Sequence, residues 1–154
     1  MNTVPDQIQK TVALPVPISR VWAALTDYQE FGEWFMAAPG APFIPGLPTT
    51  GRIICPGCEH LKWEATILDL VPESYFSFSW HPYAMDEEND YSQEAPTRVS
   101  FELTPIDGGG CSLIICESGF DQIPAARREE AYLMNAGGWT IQAENLRRYL
   151  QENP

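Results

Sequence analysis

Apolar and polar residues alternate with a period of two through much of the chain, then switch to a helical period near its C-terminal end. Tyr132, Ala136, Trp139, Ala143, Leu146 and Leu150 recur at spacings of four, three, four, three and four. That is one apolar stripe on a helix, predicted over residues 124–151. Pro124 suits its first turn, where a missing N–H costs nothing. Arg128, Glu129, Asn135, Gln142, Glu144, Asn145 and Arg148 occupy the other faces. Gly137 and Gly138 interrupt the stripe, and each costs about 1 kcal/mol relative to Ala inside a helix. A tolerated pair points to a close backbone approach, a kink or a ligand.

Upstream, the pattern predicts strands and turns. Residues 8–16 alternate weakly and read as a first strand, stopped by Pro15 and Pro17. Residues 19–27 and 28–35 read as two short helices, the first presenting Val21, Trp22 and Leu25, the second Phe31, Trp34 and Phe35. Residues 36–50 read as a long loop and 51–55 as a strand, followed by the Pro56-Gly57 turn. Residues 60–71 place Leu61, Trp63, Ala65 and Ile67 on one face. Residues 75–81 alternate most strictly, with Phe76, Phe78 and Trp80 inward. Residues 98–104 send Val99, Phe101 and Leu103 inward, and 107–110 form a hairpin turn. The last strand, 111–118, puts Glu117 on the same side as Leu113 and Ile115. Consecutive strands with short turns mean antiparallel hairpins. The fold class is therefore α+β: a curved antiparallel sheet wrapped around a long C-terminal helix, with two short helices after the first strand. Such a sheet leaves volume beneath its helix, lined by the inward rings.

The 154 residues are expected to form one domain with a core over roughly 8–151. A formal charge of −12 argues against nucleic acid or an anionic membrane as partner. No apolar run approaches the length of a membrane helix, and residues 1–10 lack the apolar centre of a secretory signal. A cytoplasmic location follows, with the four cysteines reduced. Outward apolar residues such as Ile114 hint at a partner surface, and a homodimer is one form that could take.

Several constellations carry candidate chemistry. Cys55-Pro-Gly-Cys58, with His60 beside it, offers soft ligands but lacks the second pair of a structural zinc site and the helix of a redox motif. A hairpin turn flanked by cysteines is the simpler account, and no metal is expected. Cys111 and Cys116, five apart on one strand, face opposite sides. Glu117, inward on its strand, is either a polar ligand anchor, a general acid/base, or a carboxylate capping the next turn or pairing with an Arg. His81, at a strand end, is a second catalytic candidate, although a lone His is more often a surface residue. Glu64 and Arg98 point outward on their strands. Asn135 lies beside the apolar stripe and either reaches the cavity or is solvated. Residues 86–94 carry alternating acids without the Gly and terminal Glu of a calcium loop, so they read as a solvated loop able to act as a lid.

The order of elements, with Val21-Trp22-Ala23-Ala24-Leu25-Thr26-Asp27, Trp34-Phe35, Glu117-Ser118-Gly119-Phe120 and Gly138-Trp139, resembles the SRPBCC superfamily, the START-like or helix-grip fold. The matching branch resembles the homologues of the activator of the heat-shock protein ninety ATPase. The resemblance implies a deep, mostly apolar cavity holding small hydrophobic ligands. Some bacterial relatives carry a vanillate demethylase label, but the chain has no flavin, nicotinamide or iron–sulfur motif, so no cofactor is expected. Trp34, Phe35, Phe43, Trp63, Phe76, Phe78, Trp80, Phe101, Glu117, Phe120, Asn135 and Trp139 are the expected ligand-binding set, although the rings alone could simply fill the core. The leading expectation is a non-catalytic binder of a small hydrophobic or aromatic molecule. An acid/base enzyme using Glu117, and a chaperone-activator-like interaction module, are the alternatives.

Overall fold

The computed structural model of the chain describes residues 4–82 and 90–154. Strand β1 (Gln7–Leu14) leads into helices α1 (Ile18–Thr26) and α2 (Tyr28–Phe35). Strands β2 (Ala37–Pro39), β3 (Pro48–Ile53), β4 (Lys62–Val71), β5 (Tyr75–Trp80), β6 (Thr97–Pro105) and β7 (Cys111–Ser118) follow. A 3-10 turn, Phe120–Gln122, then joins β7 to helix α3 (Ala125–Glu152). The strands form one curved antiparallel sheet in the order β1-β7-β6-β5-β4-β3-β2, gripping α3. The acids expected to form a solvated lid lie partly outside the described residues, at 86–89.

The alternation read from the sequence is the physical cause of the core. Along β7 every second residue is buried, ending at Glu117. Phe76 and Phe78 from β5, Val99 and Phe101 from β6, and Leu113 and Ile115 from β7 meet Trp139, Leu146 and Leu150 of α3 in one buried cluster. The 28-residue α3 buries only one stripe, as the spacing predicts. Between α1 and α2 the chain turns at Asp27, whose carboxylate accepts from the backbone N–H groups of Gln29 and Glu30 and caps α2. Met36, with φ of 68°, closes that helix in a left-handed conformation.

Two expectations change. Pro124 is the N-cap of α3 rather than part of its first turn, its carbonyl accepting from Arg127 and Arg128 N–H. The loop expected over 36–50 contains β2 and the start of β3. Strand β2 has only three residues, too few for a period-two signal, and it exists because β3 pairs with it. Gly51 makes that pairing possible: a Cβ there would collide with the Ala38 carbonyl oxygen.

Candidate functional site

The site begins with a buried acid. Glu117 is 0% exposed, and alternation along β7 forces its side chain into the core. Four groups donate hydrogen bonds to it. Trp80 Nε1 and Thr97 Oγ1 reach Oε2 at 2.8 and 2.5 Å. Asn135 Nδ2 and Trp139 Nε1 reach Oε1 at 2.9 and 2.8 Å. These donors come from β5, β6 and α3, so one side chain ties four elements together. A carboxylate offers about four acceptor sites, and the two indole N–H groups can only donate. Burying a charge without partners is prohibitive, and here charge-assisted hydrogen bonds supply them rather than a salt bridge. Among the described residues, no buried side-chain nitrogen or oxygen lacks a partner.

Both indoles and the amide that hold Glu117 also border a pocket. It measures about 260 Å³ and is lined by Phe35, Trp80, Asn135, Gly138, Trp139, Ile141 and Gln142. It opens where α3, the end of α2 and β5 meet. Gln142 Nε2 donates to the Phe35 carbonyl at 2.9 Å, so α2 and α3 are stitched together at its rim. Gly138 sits at its edge, and a Cβ on either Gly137 or Gly138 would meet nothing within 4 Å. The glycine pair therefore makes no close backbone approach; Gly138 leaves space beside the rings.

The expected ligand-binding set divides into two groups. Phe35, Trp80, Asn135 and Trp139 line the pocket, with Glu117 directly behind them. Trp34, Phe43, Trp63, Phe76, Phe78 and Phe101 instead interlock beneath it. Phe31 packs against Trp34, Phe43 and Trp63, and Phe76 stacks on both Phe43 and Phe101 at 5.7 Å. Trp34 Nε1 donates to the Ala24 carbonyl and Trp63 Nε1 to Thr49 Oγ1, so both polar edges are spent on the fold. Phe120 packs edge-on against Tyr132, away from the pocket lining. The deep cavity implied by the resemblance is thus corrected. Stacked and edge-on rings occupy that volume, and what opens is a smaller pocket against α3.

The remaining candidates are dispersed. His81 Nε2 lies 3.0 Å from the Glu94 carbonyl oxygen and borders a separate hollow of about 200 Å³ with Glu64 and Ser79. It is not among the partners of Glu117. Cys55 and Cys58 flank a turn closed by a 2.9 Å bond from Cys58 N–H to the Cys55 carbonyl, with Gly57 at φ 88°. Both are free thiols, and no cluster of three or more metal-ligating side chains occurs among the described residues. Cys111 is buried and Cys116 half-buried on the opposite face; burial pushes both thiols up. Ile114 is half-buried rather than exposed, because outward residues of β7 are flanked by β1 and β6. Arg98 points outward, pairing with Asp69 at 2.6 Å.

Sequence reasoning missed Thr97, Ile141 and Gln142, and held a ligand as one of three readings of the Gly137-Gly138 pair. Thr97 was legible: extending the alternation two positions back from Val99 places it inward. Gln142 lies one turn beyond Gly138 and two beyond Asn135, a polar line beside the apolar stripe.

Comparison with known proteins addresses the fold. A search of curated proteins returns no match. Protein MLL2253 from Mesorhizobium loti superposes with a TM-score of 0.75 at 22% identity, covering 96% of this chain and 98% of that one. Protein Ms6760 from Mycobacterium smegmatis gives 0.72 at 16% identity, with 94% and 90% covered. DynU16, from the dynemicin biosynthetic locus, gives 0.72 at 22% identity; 96% of this chain is covered, and it spans about half (48%) of that protein. At such identities the likeness carries the fold alone. The family model described as "Activator of Hsp90 ATPase homolog 1-like protein" matches residues 15–151. With the helix-grip architecture already in view and the match running over most of its length, the chain belongs to that family.

Proposed function

We propose that the chain binds a small hydrophobic or aromatic molecule in the pocket against α3. The observation that carries this reading is the meeting of three rings, Phe35, Trp80 and Trp139, around open space that the missing side chain of Gly138 preserves. Ring faces supply apolar contact, and Asn135 and Gln142 add polar edges that orient a ligand. At about 260 Å³ the pocket falls just below the ~300–1,000 Å³ usual for drug-sized ligands, so the occupant is small. The fold is one that commonly holds hydrophobic ligands, which agrees with this reading.

Acid/base catalysis by Glu117 fits the geometry less well. Its acceptor sites are taken by four donors, and no part of it is exposed. A general acid or base needs hydrogen-bond reach to its substrate.

Native mass spectrometry of the purified protein, combined with quenching of Trp emission by small aromatic titrants, tests the proposal. A bound small molecule or saturable quenching is the expected result, lost in Trp139→Leu. Absence of both from the folded protein would overturn it.

A further inference from the structure

We infer, resting on the ligand-pocket reading above, that this pocket selects small organic cations over neutral molecules of the same shape. The ligand class is a quaternary or fully alkylated ammonium carrying apolar groups. Three observations converge on it.

The first is ring geometry. The centroids of Phe35, Trp80 and Trp139 form a near-equilateral triangle with sides of 6.0, 6.0 and 5.9 Å. Their planes are inclined by 36–56°, so the rings are a tilted set rather than a stack. A cation seated about 4 Å above this triangle lies within about 6 Å of all three centroids, the range of cation–π attraction.

The second is charge. Both indoles of the triangle donate their N–H to the same carboxylate, Glu117. Donation to an anion pushes electron density into the indole and makes its outer face more negative. Glu117 is held by neutral donors and has no salt bridge among the described residues, so nothing on the protein side cancels that field. The chain as a whole carries −12.

The third is what else lines the pocket. Its other walls are Asn135, Gly138, Ile141 and Gln142, with no Lys, Arg or His among the described residues that border it. Ile141 and Gly138 offer apolar contact for alkyl groups. The Asn135 amide gives its nitrogen to Glu117, leaving a carbonyl oxygen as an acceptor on the same residue. An anionic ligand would meet a buried carboxylate behind the rings and no cationic side chain to receive it.

The test uses the full chain and two probes of equal shape, phenyltrimethylammonium and tert-butylbenzene. Binding is read by Trp fluorescence and calorimetry in 0.5 M NaCl, where the Debye length of about 4 Å removes the diffuse field of the surface charges. The expected result is at least tenfold tighter binding of phenyltrimethylammonium. That preference should shrink to threefold or less in Trp80→Phe, which keeps a ring but breaks its link to Glu117. Trp139→Phe provides the same comparison if Trp80→Phe fails to fold. Equal or tighter binding of tert-butylbenzene would overturn the cation preference while leaving the pocket reading intact. Binding of neither probe would overturn both. A preference unchanged in a folded Phe variant would show that Glu117 does not act through the rings, and would overturn the inference as argued.

Discussion

Glu117 shows how little latitude a buried acid has. In Glu117→Gln the amide nitrogen must replace one carboxylate oxygen. On the Oε2 side it would face Trp80 Nε1, and on the Oε1 side both Asn135 Nδ2 and Trp139 Nε1; all three are donors. At least one indole or amide donor then loses its acceptor. The expected cost is roughly 2–3 kcal/mol, measured as a lowered urea midpoint with an unchanged slope. Tyr149 provides a pH-dependent counterpart. Burial, helped by its 2.7 Å hydrogen bond to Glu30, raises the phenol above its ordinary value of 10.0. A folded state that holds its proton more tightly is stabilised fully below pH 10, and loses that contribution as pH climbs through the raised value. Thermal unfolding of the wild type should therefore fall more steeply above pH 10 than that of Tyr149→Phe. Equal slopes would show that the phenol is not responsible.

At the scale of elements, α3 separates stability from binding. Gly137 and Gly138 have helical backbones with open space at the Cβ position, so Ala at either should stabilise the helix by about 0.8–1 kcal/mol. Only Gly138 lines the pocket. Gly138→Ala should weaken ligand binding and Gly137→Ala should leave it unchanged, a contrast calorimetry can read directly. Gly51→Ala should do the opposite of both, destabilising by more than 2 kcal/mol in urea unfolding because its Cβ would strike the Ala38 backbone. These cases also show what the sequence could reveal. Alternation over two or more periods was legible, so β5, β6, β7 and the stripe of α3 were readable, and with them the inward Glu117. Strand β2 was not, because three residues carry no period and its existence depends on a distant partner. The sorting of rings was not legible either. Phe35 and Trp34 are sequence neighbours on α2, yet one lines the pocket and the other hydrogen-bonds to Ala24 in the core. Both rings pack on Phe31, so rotation about the helix axis decides that, and it is not written in residue type.

For the whole molecule, β1 is the strand that completes the site from the other end of the chain. It pairs with β7 over eight residues, Ile8 opposite Glu117, and the Asp6 carbonyl accepts from the N–H groups of Gly119 and Phe120. Deleting residues 1–14 would leave β7 as a bare edge beside a buried acid. The truncated chain should aggregate or lose its cooperative thermal transition, whereas a soluble protein with an intact transition would show β1 to be dispensable. The binding of Glu117 by Trp80, Thr97, Asn135 and Trp139 has a consequence for how this protein can change. Five positions spread across sixty residues behave as one unit, since altering any of them strands another. Reshaping this pocket therefore means replacing that set together or working only with Phe35, Gly138, Ile141 and Gln142, which border the open space without a share in that carboxylate.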